Sequence, residues 1–159
     1  MEVVLEGLDE LLAQLRMLDK NAMNTAKQCV REGCGMIQAD AKRLAPVDTG
    51  QLRGSIAYRV INLSDAYLIG EVFPTAKHAA YVEFGTGPRG QANHSGVDPS
   101  VPVAYRGGGW WYFSDKLGHV VYTQGQPARP FMYPAFVQNR ERIVQNAKNK
   151  ISGAIASAL

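Results

Sequence analysis

A run of small and apolar residues that stops at Pro46 constrains this chain more than any other feature. Between about Asn21 and Leu44, the residues Ala22, Ala26, Cys29, Val30, Gly33, Ile37, Ala41 and Leu44 recur at helical spacing. This predicts a helix roughly 36 Å long at 1.5 Å per residue. Ala26, Gly33 and Ala41 are small enough to let another element approach its axis closely. Pro46 ends the helix, because it donates no backbone hydrogen bond and disfavours helical geometry at Ala45. Beyond it, Asp48 and Thr49 can bond back to nearby amides and Gly50 can take a positive φ. Val47-Asp48-Thr49-Gly50 therefore reads as a sharp turn, with Leu52 pinning it to the core and Ser55 leading into a strand.

The remaining elements follow from periodicity. Residues 2–6 alternate as a short strand, and Leu8, Leu11, Leu12, Leu15 and Leu18 mark a short amphipathic helix of its own. Asp9 and Glu10 suit the positive end of that helix's dipole. Residues 55–61 and 67–73 alternate as two strands joined by a turn at 63–66. For residues 78–84 a helix is favoured over an edge strand, since Ala79 and Ala80 lower strand propensity. The stretch 86–109, rich in Gly, Pro, Ser and Asn, reads as a long flexible loop. Trp110–Phe113 and His119–Tyr122 form two aromatic strands around a hairpin turn, one side expected on the core and the other partly exposed. The last helix starts near Pro134, and its seam of Val137, Val144, Ala147, Ile151, Ala154 and Ala158 meets either the long helix or another subunit. No parallel βαβ order is present. The expected class is α+β, a small, mainly antiparallel sheet packed by a long helix in the N-terminal half and a C-terminal helix.

A chain of 159 residues is expected to be a single domain that buries roughly 68–70% of its unfolded surface. No apolar run approaches the roughly 18 residues of a membrane span. The start Met1-Glu2-Val3-Val4 lacks a secretory pattern, so folding in the cytoplasm is expected. Cys29 and Cys34, five apart on one helix, lie about 140° from one another and cannot easily bridge. With the scattered His78, His94 and His119 they do not make the spacing of a zinc site, and no metal is expected. The net charge of +3 hides a polarity: residues 1–48 hold 8 acidic and 6 basic side chains, the remainder 6 and 11. Such polarity could orient subunits head to tail or turn a positive surface toward DNA.

Catalytic constellations are at background level. Asp40 with Asp48, or Glu71 with Glu83, rest on no motif that fixes a separation for acid and base roles. Ser95 beside His94 is no triad, because sequence neighbours seldom present both side chains to one reacting atom. Gly107-Gly108-Gly109 precedes a strand rather than opening a helix and is followed by no Gly-Lys-Ser, so it is no phosphate cradle. The chain reads as a non-enzyme with no catalytic residue and no cofactor.

Three segments carry a stronger signal: Ala45 to Ser55 around Pro46, Asp48, Thr49, Gly50 and Leu52; Ala80 to Gly87 with Glu83, Phe84, Gly85, Thr86 and Gly87; and Gln126 to Phe131 with Pro127, Arg129, Pro130 and Phe131. Each joins a turn former to an anchoring apolar residue. In that order, over about residues 8–140, the chain resembles the tail-component or head-to-tail joining family of long-tailed bacteriophages. The resemblance implies a virion structural protein of the neck or tail, made in the host cytoplasm. It implies a homo-oligomeric ring that completes the tail or joins it to the DNA-filled head, touching neighbouring neck or tail proteins and, non-specifically, the DNA in the channel. It also places a glutamate at Glu83. That carboxylate could accept hydrogen bonds from the Thr86-Gly87 turn, or pair with Arg53 or Arg129, within the chain or at a subunit boundary. Pro127 to Phe131 reads as a strap docking Phe131 into the core, with Arg129 alternatively on a partner's carboxylate. Interface candidates are Arg89, His94, Arg106, Trp110, Arg140 and Arg142, the first three on the 86–109 loop, and the insert between Gly87 and Gln126 is longer than in the simplest form of the family. The alternative is a nucleic-acid-binding module acting through the basic last helix, with Arg140, Arg142, Lys148 and Lys150. A hydrolase using the Glu83 or His94 region ranks last.

Overall fold

The computed structural model describes residues 8–64 and 67–157. The strand expected at residues 2–6 lies outside them. Two helices were expected before Pro46, but the chain forms one, α1, spanning Leu8–Leu44 over 37 residues and about 55 Å. Nothing between Leu18 and Asn21 breaks it: the sequence there is Leu-Asp-Lys-Asn, with neither Gly nor Pro. Pro46 does stop the helix, after a last turn in which the Ala45 amide bonds to the Ala41 carbonyl at 2.9 Å. Gly50 takes φ +82°, and a single helical turn, α2 (Gln51–Ser55), reverses the chain. Ser55, expected to open the strand, instead closes this turn by donating its hydroxyl to the Leu52 carbonyl.

Strands β1 (Ile56–Ser64) and β2 (Tyr67–Pro74) pair antiparallel from Ile56 opposite Pro74 to Ser64 opposite Tyr67. Two short helices follow, α3 (Ala79–Phe84) and α4 (Gly87–Ala92). The second is a difference from the expected loop, since Pro88 is pre-set for a first helical turn. Strands β3 (Trp110–Ser114) and β4 (His119–Thr123) make a second antiparallel pair. Helix α5 (Met132–Ala156) begins two residues earlier than Pro134. The class is α+β as expected, with the strands divided between two separate two-stranded sheets.

Small residues decide the packing. Helix α1 lies between the β1–β2 hairpin and α5, and its two cysteines mark the two sides. Cys34 lies beneath Gly70 of β2, while Cys29 faces Ile143 and Ala147 of α5. A Cβ on Gly33 would come within 2.9 Å of the Ile143 side chain, so this glycine sets how closely the helices approach. They run antiparallel, because Asp40, Gly33 and Glu32 of α1 meet Asn139, Ile143 and Lys150 of α5 in turn. The core gathers where α1, α2, β1, α3 and the start of α5 converge, on Ala41, Ala45, Leu52, Ile56, Ala79, Phe131 and Ala135. Among the described residues no helix is long and apolar enough to cross a membrane.

Candidate functional site

Glu83 is a buried carboxylate whose hydrogen bonds all come from backbone amides. It sits on α3, is only 6% exposed, and accepts three backbone hydrogen bonds from the start of α5. Its Oε2 takes the amides of Phe131 at 2.8 Å and Met132 at 3.0 Å, and its Oε1 takes that of Tyr133 at 3.0 Å. A helix leaves its first four amides without an internal partner. Here three go to one carboxylate, and the fourth position is Pro134, which has no amide hydrogen. The negative charge also meets the positive end of the helix dipole. A buried carboxylate would otherwise cost several kcal/mol, and these bonds offset that cost. The partners expected for Glu83 were the Thr86-Gly87 turn, Arg53 or Arg129. The donors lie instead nearly fifty residues downstream, where only the fold can bring them.

The strap that carries those amides is itself held by backbone. Thr86 and Gln126 exchange hydrogen bonds at 2.9 and 3.2 Å, and the amides of Ala128 and Arg129 bond to the carbonyls of Asn93 and Val82, both at 2.8 Å. Gly85, at φ +74°, lies where a Cβ would come within 2.7 Å of the Ala128 nitrogen. No other residue lets α3 and the strap close to this distance. Phe84 adds a second tie, its carbonyl accepting the Tyr105 hydroxyl at 2.8 Å. The strap ends with Phe131 fully buried against the core. At the other motif Thr49 accepts a long bond from the Gln51 amide, 3.4 Å, while Asp48 is exposed.

The structure separates the interface candidates. Arg142 is exposed, with its Nη2 donating to the Asn139 Oδ1 of the same helix at 2.6 Å. Lys150 pairs with Glu32 of α1 at 2.6 Å, and Arg140 and Lys148 also stand exposed. Arg89 is exposed at the end of α4, and the exposed His94 lies against Tyr105 with ring centroids 6.0 Å apart. The side chain of Arg129 is exposed. Arg106 stacks over Trp110 at 5.4 Å, and both line a cleft of about 720 Å³ between α3, the segment 103–106 and the β3–β4 hairpin.

One feature was not foreseen. Asn139, 1% exposed, bridges the helices by donating to the Asp40 Oδ2 at 2.7 Å and the Ala135 carbonyl at 2.8 Å. The Asn139 amide, and then Arg43, hold the Asp40 carboxyl below its usual range, against the opposing effect of burial. An asparagine one turn after a buried alanine in an apolar seam was the available signal. The outer face of the β3–β4 hairpin is exposed, as expected. Register places Trp111 opposite Tyr122 and Phe113 opposite Val120, and all four are 53–69% exposed. The opposite face, with Trp110 and Tyr112, lines the cleft. One side was expected to pack on the core, but the hairpin stands beside it.

Compared with known proteins, residues 9–85 match the family model described as "Bacteriophage HK97-gp10, putative tail-component". The match covers α1 to the end of α3 and includes the Pro46 turn and Glu83, stopping short of the strap within the wider span of the resemblance. No curated protein and no solved structure matched the chain.

Proposed function

We propose that this chain, which matches the family of bacteriophage tail components through residues 9–85, is a structural protein of the virion neck or tail that assembles as a homo-oligomeric ring. The ring completes the tail or joins it to the DNA-filled head. It works by burying surface against copies of itself and against neighbouring neck or tail proteins, with no catalytic step and no cofactor. The family match carries this reading. The division of the molecule supports it: a core latched by buried hydrogen bonds holds up a hairpin whose aromatic side chains face outward. Non-specific contact with DNA in the channel falls to the exposed Arg140, Arg142 and Lys148. The ion pair of Lys150 with Glu32 weakens the alternative of a dedicated nucleic-acid-binding helix.

Electron microscopy of particles made by a phage or prophage deleted for this gene tests the proposal. Filled heads beside separate or malformed tails are expected. Normal infectious particles would overturn it.

A further inference from the structure

The β3–β4 hairpin carries a ridge on one face and the wall of a recess on the other. Trp111, Phe113, Val120 and Tyr122 form the ridge, with Trp111 and Tyr122 rings 5.3 Å apart, and Leu117 extends it at the tip. Aromatic side chains bury 150–250 Å² each, so this patch, more than half exposed at every member, offers on the order of 500 Å² of apolar surface. That is the upper end of what a monomer leaves uncovered, and over half of the roughly 800 Å² that one partner contributes to a stable interface. A two-stranded hairpin alone is also marginal in water and gains from a covering surface.

The cleft offers the complement. It is apolar and, at about 720 Å³, wide enough for an aromatic pair, with Tyr81 exposed at its edge and Trp110, Tyr112 and Tyr105 on its walls. Arg106 is the one charged residue lining it. The hairpin tip carries an exposed carboxylate, Asp115. Neither Asp115 nor Arg106 has an ion-pair partner among the described residues.

We infer that the ridge of one copy seats in the cleft of the next, with Asp115 reaching the neighbour's Arg106. Ridge and cleft lie on opposite faces of one hairpin, so one chain cannot satisfy both itself. The contact is head to tail, and repetition closes into a ring where the rotation allows. This rests on the ring reading above and names the surfaces that would form it.

The test uses the full chain in native mass spectrometry and sedimentation at micromolar to millimolar concentrations. A ridge variant, Trp111→Ser with Phe113→Ser, and a cleft variant, Arg106→Asp, change exposed groups, and circular dichroism checks that both stay folded. Wild type is expected to form species beyond the dimer. Each variant alone stays monomeric, with association weakened roughly 30-fold or more for the ridge. Mixed together, the two variants form a heterodimer and nothing larger, because one intact junction remains. Adding Asp115→Arg to Arg106→Asp restores assembly. Variants that assemble like wild type would overturn the inference and leave the ring reading standing. So would a cleft variant that still dimerises while the ridge variant does not, which is the mark of ridge-to-ridge pairing. A wild type monomeric at millimolar concentration sinks the contact between copies. Unjoined heads and tails on gene deletion would then still hold the protein at the joining step, with the ridge turned to another tail protein.

Discussion

The start of α5 and the β3–β4 hairpin treat their side chains in opposite ways. At the first, a carboxylate and a phenylalanine are both removed from water, and every backbone donor that the helix leaves open is either bonded to Glu83 or absent at Pro134. At the second, four large apolar side chains stand in solvent on a hairpin that pairs only with itself. Burial with full hydrogen bonding specifies a unique arrangement and is costly to break. Exposure of the same residue types adds little to the monomer and is retained where a surface is to be covered later. The first region holds the subunit together, and the second is the part that can be altered without unfolding it.

That contrast breaks most visibly at the latch. Glu83→Ala leaves the amides of Phe131, Met132 and Tyr133 buried without acceptors, and Phe131→Ala leaves a cavity at the centre of the core. Each is expected to lower unfolding free energy by about 3–5 kcal/mol, measured by urea denaturation. Since Glu83 positions the backbone that delivers Phe131, the two losses should fall short of additivity in the double variant. Melting curves unchanged by either substitution would remove the latch from the account of stability. The next effect sits between the helices. Asn139→Ala deletes the bridge among Asp40, Ala135 and Arg142 and is expected to cost about 1–3 kcal/mol.

How far the sequence disclosed these two regions depends on the range of the forces involved. The Pro46 stop, the Gly50 turn, both hairpins and the helix at 79–84 rest on neighbours a few residues apart, and they appear where local chemistry put them. The family resemblance singles out Glu83, but its donors are 48–50 positions away. A carboxylate at that distance gives no spacing to read. The inner face of the second hairpin, expected on the core, failed for a different reason. Alternation in Trp-Trp-Tyr-Phe-Ser is masked because both faces are aromatic, so the pattern could not say which side met the core or that neither would. The continuous α1 shows the converse limit, since two sets of apolar residues read as two helices although no helix-breaking residue lies between them.

A smaller effect separates charge from packing at the α1–α5 contact. The Asp40 carboxyl is depressed chiefly by the Asn139 amide, with Arg43 second. A group whose folded pKa lies below its unfolded value, about 3.9, contributes stability above that value and loses it as pH falls through the folded pKa. Asp40→Asn should therefore be less stable than wild type at neutral pH, and the gap should narrow in acid below about pH 4. Urea midpoints of the two proteins at neutral and acid pH give the comparison. A gap that stays constant would mean that packing, not ionisation, is what Asp40 supplies.

The smallest expected effect is on the other side of the contrast. Trp111 is 69% exposed, its ring tilted against that of Tyr122, so Trp111→Ser should change the unfolding free energy of the monomer by no more than about 0.5 kcal/mol. The same substitution should weaken association between copies far more than it alters folding. An apolar group that is exposed in the monomer but covered in the assembly contributes its burial only to the second equilibrium. Unfolding measured at low protein concentration, where copies are apart, isolates the first quantity, and sedimentation at high concentration reads the second. A loss of several kcal/mol in the dilute monomer would mean that the hairpin is part of the folding core after all, and the distinction between a latched subunit and its exposed ridge would fail.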